Sequence, residues 1–329
     1  MTETSESRAW ILDVGHGNST VVEQEDQVSV IDGGVGVALR EFLKERDISR
    51  VENVLISHAD ADHMNGVSLV LTDKGVDVKR LYVNPDKRGS ALWNDFNSEV
   101  KDAKKRGTEL NLELTDENPG RISNGNVTME VLAPSQEMAM MTSNGHTASG
   151  EPVTPNTMSA VVRVWAGDTP RLLLAADIDQ VGLDSLLDDH PEVASDVVVF
   201  PHHGGRPGKS DPKAFARSII DAVGAGWVIF SIGRGRYETP SPDVVEGVLE
   251  AQGGVHVACT QLSTSCAAQA PEKSSPMHRP GSPCSTRNAC CAGTIEVSLG
   301  GEDSLPPMRR SHLEFIRENA PTAICGQHD

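Results

Sequence analysis

The stretch Ser57-His58-Ala59-Asp60-Ala61-Asp62-His63 decides the fold of this chain. It places two imidazoles and two carboxylates within six positions, directly after the apolar run Val54-Leu55-Ile56, which predicts a β-strand. Packed together without a cation, such side chains would mainly cost desolvation free energy. With one or two divalent cations between them they form a metal site. The alternative is a polar turn in which Asp62 caps the following helix.

Two further groups of potential ligands each follow an apolar strand. Asp177 comes just after the run from Arg171 to Ala175, and the pair His202-His203 follows the run from Asp196 to Phe200. Because strand ends on one edge of a sandwich can converge, these side chains are expected to join the first cluster. Together they offer ligands for two divalent cations about 3.5–4 Å apart, with Asp177 suited to bridge them. Such a pair of cations activates water and offsets the charge that develops on a phosphodiester.

Strands and amphipathic segments succeed one another along the chain. Residues 35–48, 91–106 and 212–223 have helical spacing, and they lie between short apolar runs. Reactive side chains stand at the strand ends. This order predicts an α/β protein, an αββα sandwich of two mixed β-sheets flanked by helices.

The motif His-x-Asp-x-Asp-His resembles the metallo-β-lactamase fold superfamily, and within it the hydrolase domain of the bacterial DNA-uptake channel ComEC and its stand-alone relatives. In that branch an Asp, here Asp60, replaces the second His of the usual His-x-His-x-Asp-His. Further matching pieces lie on both sides of the motif: Asp13-Val14-Gly15-His16-Gly17, Asp32-Gly33-Gly34, Asn156-x-x-Ser159, Leu174-Ala175-Ala176-Asp177, His202-His203-Gly204, and Ser231-Ile232-Gly233 followed by Tyr237. The resemblance covers residues 9–260 and resumes at 292–299.

The resemblance implies two metal ions that share a bridging carboxylate. One would be held by His58, Asp60 and Asp177, and the other by Asp62, His63, Asp177 and one of His202 and His203. The remaining histidine of the pair would lie near the phosphate as an acid or hydrogen-bond donor.

Three more residues receive expectations from their positions. Asn156 stands where many superfamily members have a third ligand His, so it is expected to be a weak ligand or a substrate contact. Asp32 is expected to orient a ligand His, with a purely structural turn as the alternative. His16 is expected to be a loop residue rather than a participant. The candidate catalytic residues are thus Asp62, His202, His203 and Asn156.

The domain organisation follows from the same resemblance. Residues 8–299 are expected to form one metallo-β-lactamase-like hydrolase domain, with a Cys-rich insertion at about 259–291 before a last strand. Residues 300–329 are expected to form a C-terminal extension with one short helix at 311–319.

All six cysteines lie within residues 259–329. In a cytosolic protein such clustering favours metal over disulfide, although the Cys-x₂-Cys pairs of common zinc ribbons are lacking. The favoured hypothesis is an additional structural Zn²⁺ held by four of five cysteines: Cys259, Cys266, Cys284, Cys290 and Cys291. Disulfides and free thiols remain the alternatives, and the insertion is also a candidate docking site for a protein partner.

Charge and hydropathy limit the partners. The net charge of −18 argues against a general electrostatic grip on nucleic acid, but bound metal ions would supply positive charge locally. The polar N-terminus does not resemble a signal peptide, and no apolar run approaches the ~18 residues that a membrane span needs. A cytoplasmic protein without membrane contact is therefore expected.

The predicted activity is hydrolysis of phosphodiester bonds by two divalent metal ions, with DNA or RNA as the expected substrate. Asp60 in place of an imidazole shifts the balance from Zn²⁺ toward Mn²⁺ without deciding between them. One alternative is a hydrolase of a small phosphodiester or cyclic nucleotide, which the acidic composition would suit. Another is a metal-stabilised interaction module, or a partner-regulated effector, without turnover.

Overall fold

The structure is a computed structural model, and it describes residues 7–86, 91–251, 253–277, 279, 282–287, 289–300 and 309–327. The first sheet has seven strands: β1 (Arg8–Ile11), β2 (Thr20–Gln24), β3 (Gln27–Ile31), β4 (Arg50–Ile56), β5 (Asp77–Val83), β6 (Glu109–Asn111) and β14 (Ile295–Ser298). Their order is β14-β1-β2-β3-β4-β5-β6. The four strands from β14 to β3 pair antiparallel, and β3 to β6 pair parallel.

The second sheet also has seven strands: β7 (Arg121–Asn124), β8 (Val127–Ala133), β9 (Val161–Ala166), β10 (Thr169–Leu174), β11 (Val197–Val199), β12 (Trp227–Phe230) and β13 (His256–Cys259). Their order is β13-β12-β11-β10-β9-β8-β7. The strands β10 to β13 are parallel, and β7 to β10 are antiparallel, so both sheets are mixed.

The helices are α1 (Ala38–Glu45), α2 (Ala61–Thr72), α3 (Ala91–Arg106), α4 (Gln136–Met141), α5 (Gln180–Asp189), α6 (Pro212–Val223), α7 (Pro242–Glu250) and α8 (Arg309–Asn319). Short 3₁₀ helices span Pro201–Gly204, Pro283–Arg287 and Ile324–Gly326. The first turn of α4 is capped by the Ser135 hydroxyl, which accepts from the Met138 N–H. Among the described residues no helix is long and apolar enough to cross a membrane.

Three buried layers hold the sandwich together. The central layer lies between the sheets and is built from the inward side chains of both, such as Leu55 and Val162. The helices α1 to α3 cover the outer face of the first sheet, and α5 to α8 cover that of the second, where Phe215 and Phe315 are buried. Each of these seven helices thus buries one apolar face against a sheet. The predicted αββα sandwich of two mixed sheets is confirmed.

The parallel strands position the candidate ligands. The strands β4, β10 and β11 run in the parallel halves of the two sheets, and each ends just before a predicted cluster. The loops that follow them carry His58, Asp177 and the pair His202-His203 to one edge of the sandwich. The convergence expected from the sequence is therefore observed.

In the C-terminal part, the structure matches the predicted strand and helix but not the predicted zinc ligands. Strand β14 forms at the predicted place and pairs with β1, and α8 covers the predicted helix. Cys284 and Cys290, however, are joined by a disulfide. A zinc site built from four of the five cysteines at 259–291 is therefore wrong, because the disulfide leaves only three of them as thiols. The division into a domain of residues 8–299 and an extension stays a prediction.

Candidate metal centre

Close backbone packing positions the start of helix α2. The helix begins at Ala61, and Asp60 is its N-cap residue. The Gly33 N–H donates to the His63 carbonyl at 2.7 Å. A Cβ on Gly66 would lie 1.9 Å from the Gly33 carbonyl oxygen, so the two backbones touch where no side chain fits. This contact brings His63 to the turn that follows β3.

Asp32 fixes the orientation of His63 from that turn. Asp32 has φ 57°, in the left-handed region that Asp tolerates better than most residues. Its Oδ2 accepts from His63 Nδ1 at 2.7 Å and from the Ser57 hydroxyl at 2.7 Å, and its Oδ1 accepts from the Ser57 N–H. Since a carboxylate only accepts here, the proton of the neutral imidazole lies on Nδ1 and the lone pair lies on Nε2. The side chain of Asp32 thus presents His63 Nε2 to a ligand.

The pair His202-His203 occupies a tight turn with an unusual backbone. Both residues are left-handed, with φ 51° and 55°, and the His202 N–H donates to the Ala176 carbonyl at 3.0 Å. Such strain is typical of functional sites. His203 Nδ1 donates to the Ser231 carbonyl at 2.9 Å, which leaves the Nε2 lone pair free to bind. The two histidines therefore differ, because His203 is buried while the His202 side chain is 37% exposed.

Asp177 lies between two groups of side chains. Its Oδ1 is 3.3 Å from His63 Nε2 and 3.5 Å from His203 Nε2. Its Oδ2 is 3.7 Å from His58 Nε2 and 3.1 Å from His202 Nδ1. Each oxygen of one buried carboxylate thus faces a different set of imidazole nitrogens. This is the arrangement of a bridging ligand.

Two aspartates complete the two groups. Asp60 Oδ2 is 3.5 Å from His58 Nε2, on one side of Asp177. Asp62 Oδ2 is 3.5 Å from His203 Nε2, on the other side. The seven residues predicted as ligands are therefore brought together: His58, Asp60, Asp62, His63, Asp177, His202 and His203.

The buried atoms at the centre fit a cation. His58 Nε2, His63 Nε2, His203 Nε2 and Asp177 Oδ1 are all buried, and none of them has a hydrogen-bond partner. Four buried acceptors without donors are costly unless a cation satisfies them. Their Asp and His chemistry and their mutual distances are consistent with a dinuclear site for divalent ions.

Two of the carboxylates are already in the charge state that binds metal. Burial favours the neutral acid, but the neighbouring His203 and His63 hold the pKa of Asp177 well below its usual range. Burial works the same way on Asp62, where the neighbouring His203 and His63 outweigh it and lower the pKa. Both carboxylates are therefore ionised at neutral pH. These two carboxylates bind metal without first losing a proton. His63 differs, because Asp177 and Asp32 outweigh burial and raise its pKa well above the usual value, so it releases a proton when it binds metal.

His16 is a member of the cluster that the sequence interpretation missed. Its Nε2 lies 3.6 Å from Asp62 Oδ2, and its ring contacts the ring of His203 at a centroid distance of 4.2 Å. Burial, with a contribution from His203, lowers the pKa of His16 to about 4, so its imidazole is neutral. His16 thus lies in a loop, as expected, but this loop brings its imidazole to the cluster. The exposed Tyr237 ring covers its other side at 4.3 Å.

Asn156 lies at the accessible edge of the centre. Its Nδ2 is 3.4 Å from His202 Nδ1, which places the amide beside the more exposed histidine of the pair. The hydrogen bond that His202 Nδ1 donates to Asp177 Oδ2 is the main reason why the pKa of His202 is raised. Asn156 and His202 thus form a polar edge through which a substrate can approach the buried atoms.

Comparison with protein families identifies the fold family. The model of the metallo-β-lactamase superfamily matches residues 12–223, which is more than half of the 329 residues. The chain belongs to the metallo-β-lactamase superfamily. Members of this superfamily are metal-dependent hydrolases. The cluster around Asp177 lies at the strand ends within the matched region, and the turn that contains His203 lies in that region too.

Solved structures are similar to this chain at low sequence identity. The metallo-β-lactamase fold protein YhfI from Bacillus subtilis is 14% identical, with a TM-score of 0.48, and the match covers 77% of this chain and 97% of that one. A diphosphatase of the PhnP family is 12% identical, with a TM-score of 0.44 and coverages of 76% and 94%. Igni18, a metallo hydrolase from Ignicoccus hospitalis, is 12% identical, with a TM-score of 0.41 and coverages of 72% and 85%. No match was found among curated protein sequences.

Proposed function

We propose that this superfamily member hydrolyses phosphodiester bonds at a centre of two divalent metal ions, Zn²⁺ or Mn²⁺, and that its substrate is DNA or RNA. The observation that carries the proposal is the placement of Asp177, whose two oxygens face separate groups of imidazoles. One ion would be held by His58, Asp60 and Asp177, and the other by Asp62, His63, His203 and Asp177. His16 is a further candidate ligand on the side of Asp62.

The choice of His203 over His202 as ligand rests on the hydrogen bond to Ser231. That bond holds a proton on Nδ1 and turns Nε2 toward Asp62 and Asp177. His202 instead turns Nδ1 toward Asp177 and exposes part of its ring. His202 is therefore free to act on the substrate.

Each of the protein residues around the ions would have a separate role in the reaction. When bound, the two ions supply an activated water and electrostatic stabilisation of the phosphate. His202 donates a proton to the leaving oxygen, a role for which its exposure and raised pKa suit it. Asn156 donates an amide hydrogen bond to a phosphate oxygen beside His202. Asp32 keeps His63 in its binding tautomer throughout.

A phosphodiester is favoured over other superfamily substrates by two features. Asp60 replaces an imidazole at the first ion, and a site richer in carboxylate favours the hard ions that accompany phosphoryl chemistry. The exposed Tyr237 ring, with the Arg236 guanidinium 5.7 Å from its centroid, flanks the centre next to His16. A stacking ring beside a cation suits a nucleobase and its phosphate. The resemblance to the ComEC hydrolase domain points to the same substrate class.

A smaller phosphodiester or a cyclic nucleotide is the second candidate. The net charge of −18 repels a long polyanion more than a compact substrate with one or two charges. A metal-stabilised module without turnover is the remaining alternative.

A substrate screen tests these proposals. Single-stranded DNA, duplex DNA, RNA, a cyclic dinucleotide and bis(p-nitrophenyl) phosphate would be incubated with the Mn²⁺- or Zn²⁺-loaded chain. The inactive control is the Asp62→Ala/His63→Ala variant, and the matched control is Glu130→Gln, which alters a carboxylate outside the centre.

Each result of the screen has a clear meaning. Polymer cleavage lost only in the double variant supports the nuclease. Cleavage of small esters alone supports the second candidate, and full metal loading without any turnover supports the module. Activity that persists in the double variant contradicts the assigned centre.

A further inference from the structure

A second group of metal-ligating side chains lies outside the centre described above. Cys259 ends β13, Cys291 precedes β14, and His312 belongs to α8. All three are buried, with 6%, 5% and 0% of their surface exposed. Residues far apart in sequence thus place two thiols and an imidazole together in the layer between the second sheet and α8.

One contact within this group has the spacing of two ligands on a tetrahedral ion. Cys291 Sγ is 3.4 Å from His312 Nε2, and the Cys259 N–H donates to Cys291 Sγ at 3.4 Å. The three ligand atoms do not all lie within 4.8 Å of one another, so the Cys259 or His312 side chain has to turn inward for one ion to be bound by all three. With Zn–S near 2.3 Å and Zn–N near 2.0–2.1 Å, a tetrahedral site separates S and N ligands by about 3.6 Å. The sulfur and nitrogen are therefore already at a distance that one zinc ion can span.

The second nitrogen of His312 is held as in known zinc sites. His312 Nδ1 lies 2.9 Å from His256 Nε2. At this distance His256 Nε2 can accept a hydrogen bond from His312 Nδ1. That hydrogen bond leaves the lone pair of His312 on Nε2, facing Cys291. Ligand histidines commonly donate their other N–H to an acceptor in this way.

Two more thiols adjoin the group. Cys325 and His312 both line a cavity of about 140 Å³ beside α8. The segment that carries Cys266 is bound to the C-terminal segment, because the Thr322 hydroxyl donates to the Ser265 carbonyl at 2.9 Å and also to that of Cys266. Either thiol can supply a fourth ligand. Neither belongs to the disulfide between Cys284 and Cys290.

We propose that Cys259, Cys291 and His312, with Cys266 or Cys325 as the fourth ligand, form a structural site for one Zn²⁺. The site binds with release of the thiol protons, and it cross-links β13, the segment before β14 and α8. Three thiolates and one imidazole are a common donor set for structural zinc, and they disfavour Mn²⁺. This zinc is separate from the ions at Asp177, and its role is to fasten α8 to the second sheet.

Metal analysis of the full-length chain, purified with a phosphine reductant and no chelator, tests the site. The Cys259→Ser/Cys291→Ser variant should contain one zinc fewer per chain than the wild type. The Cys284→Ser/Cys290→Ser variant, which removes the same number of cysteines from the same insertion, should lose none. The Asp62→Ala/His63→Ala variant should keep the thiolate-bound zinc. Equal zinc in the wild type and the Cys259→Ser/Cys291→Ser variant would overturn the proposal.

Cobalt spectroscopy of the wild type keeps the test valid if that cysteine variant does not fold. Co²⁺ bound by thiolates gives a sulfur-to-metal charge-transfer band, which a centre of His and Asp cannot give. The band is expected in the wild type and in the Asp62→Ala/His63→Ala variant. A spectrum without it, or peptide mapping that finds Cys259 and Cys291 joined as a disulfide, would overturn the zinc site.

Discussion

Replacing Asp32 by Asn tests whether the hydrogen bonds behind the metal centre control its affinity. Asn tolerates the left-handed backbone at φ 57°, so the turn is retained. In the wild type three groups donate to the carboxylate: His63 Nδ1, the Ser57 hydroxyl and the Ser57 N–H. If the introduced amide oxygen keeps the Ser57 N–H, its NH₂ group faces His63 Nδ1. Two donors then oppose each other, and His63 must move its proton to Nε2, the atom that faces Asp177.

The expected effect is a tenfold to hundredfold loss of metal affinity, the usual consequence of changing such a partner. This corresponds to about 1.4–2.8 kcal/mol of binding free energy. Turnover at a fixed, subsaturating metal concentration should fall by the same factor. Turnover should recover as the metal concentration is raised.

The assay is a titration of the metal-free chain with Mn²⁺, followed by the signal of free Mn²⁺ in electron paramagnetic resonance. Mn²⁺ avoids the cysteine cluster, because soft thiolates bind it weakly. Glu130→Gln is the matched control, since this buried carboxylate accepts from Arg163, Arg121 and Trp165 and has no hydrogen bond to the centre. Affinity of the Asp32→Asn variant within threefold of the wild type would refute the role of Asp32.

Three further predictions concern other parts of the molecule. His202→Ala should lower kcat by about 10²–10⁴-fold while the metal content is unchanged, because the residue is assigned to proton donation rather than to binding an ion. Equal losses of metal and kcat would show that His202 is a ligand instead. Gly66→Ala should destabilise the chain by about 1–3 kcal/mol in urea unfolding, since its Cβ would meet the Gly33 carbonyl, whereas Gly300→Ala, with open space around it, should not. Burial opposes ionisation of Glu130, but the hydrogen bonds from its arginine and tryptophan partners hold its pKa below the usual range. Its contribution to stability is therefore present above the unfolded pKa of about 4.3 and is lost as pH falls through the lower folded value. The wild type should thus exceed Glu130→Gln by about 1–3 kcal/mol at pH 7, and this difference should shrink below pH 4; a difference that stays constant with pH would contradict the argument.

The fold could be predicted from the sequence because its signals are local. An apolar run followed by a polar ligand marks the end of each central strand, as at Ile56 and Val199, and the helical spacing of residues 212–223 matches α6. The start of α2 could not be placed this way. It depends on the contact between Gly33 and Gly66, which are distant in sequence, and on Asp60 as N-cap rather than Asp62.

The ligands of the candidate centre could be predicted from the sequence only where the residue type alone identifies a ligand. His203 could not be chosen over His202, because the choice depends on the carbonyl of Ser231 in another loop. His16 was missed for a similar reason. It reaches the centre only because the loop after β1 packs against the loop after β12, where a Cβ on Gly233 would lie 2.5 Å from the His16 nitrogen. The Asp13-Val14-Gly15-His16-Gly17 loop was the one signal that could have drawn attention to it.

The bonding of the cysteines could not be predicted from the sequence for a different reason. Their clustering in sequence could not separate a disulfide from a metal site, because both need thiols that meet in space. The structure pairs Cys284 with Cys290 and brings Cys291 into contact with both Cys259 and His312 instead. His312 on α8 lies outside the insertion, so the spacing rules for zinc motifs do not include it.

The most direct test of the central claim is turnover of bis(p-nitrophenyl) phosphate and single-stranded DNA as a function of added Mn²⁺ or Zn²⁺, for the wild type and for Asp177→Asn. The substitution removes one of the two oxygens that face the separate groups of imidazoles, while size and burial stay the same. The account predicts metal-dependent cleavage by the wild type and a loss of at least about 10³-fold in the variant. Cleavage by Asp177→Asn at the wild-type rate, or none by a fully metal-loaded wild type, would contradict it.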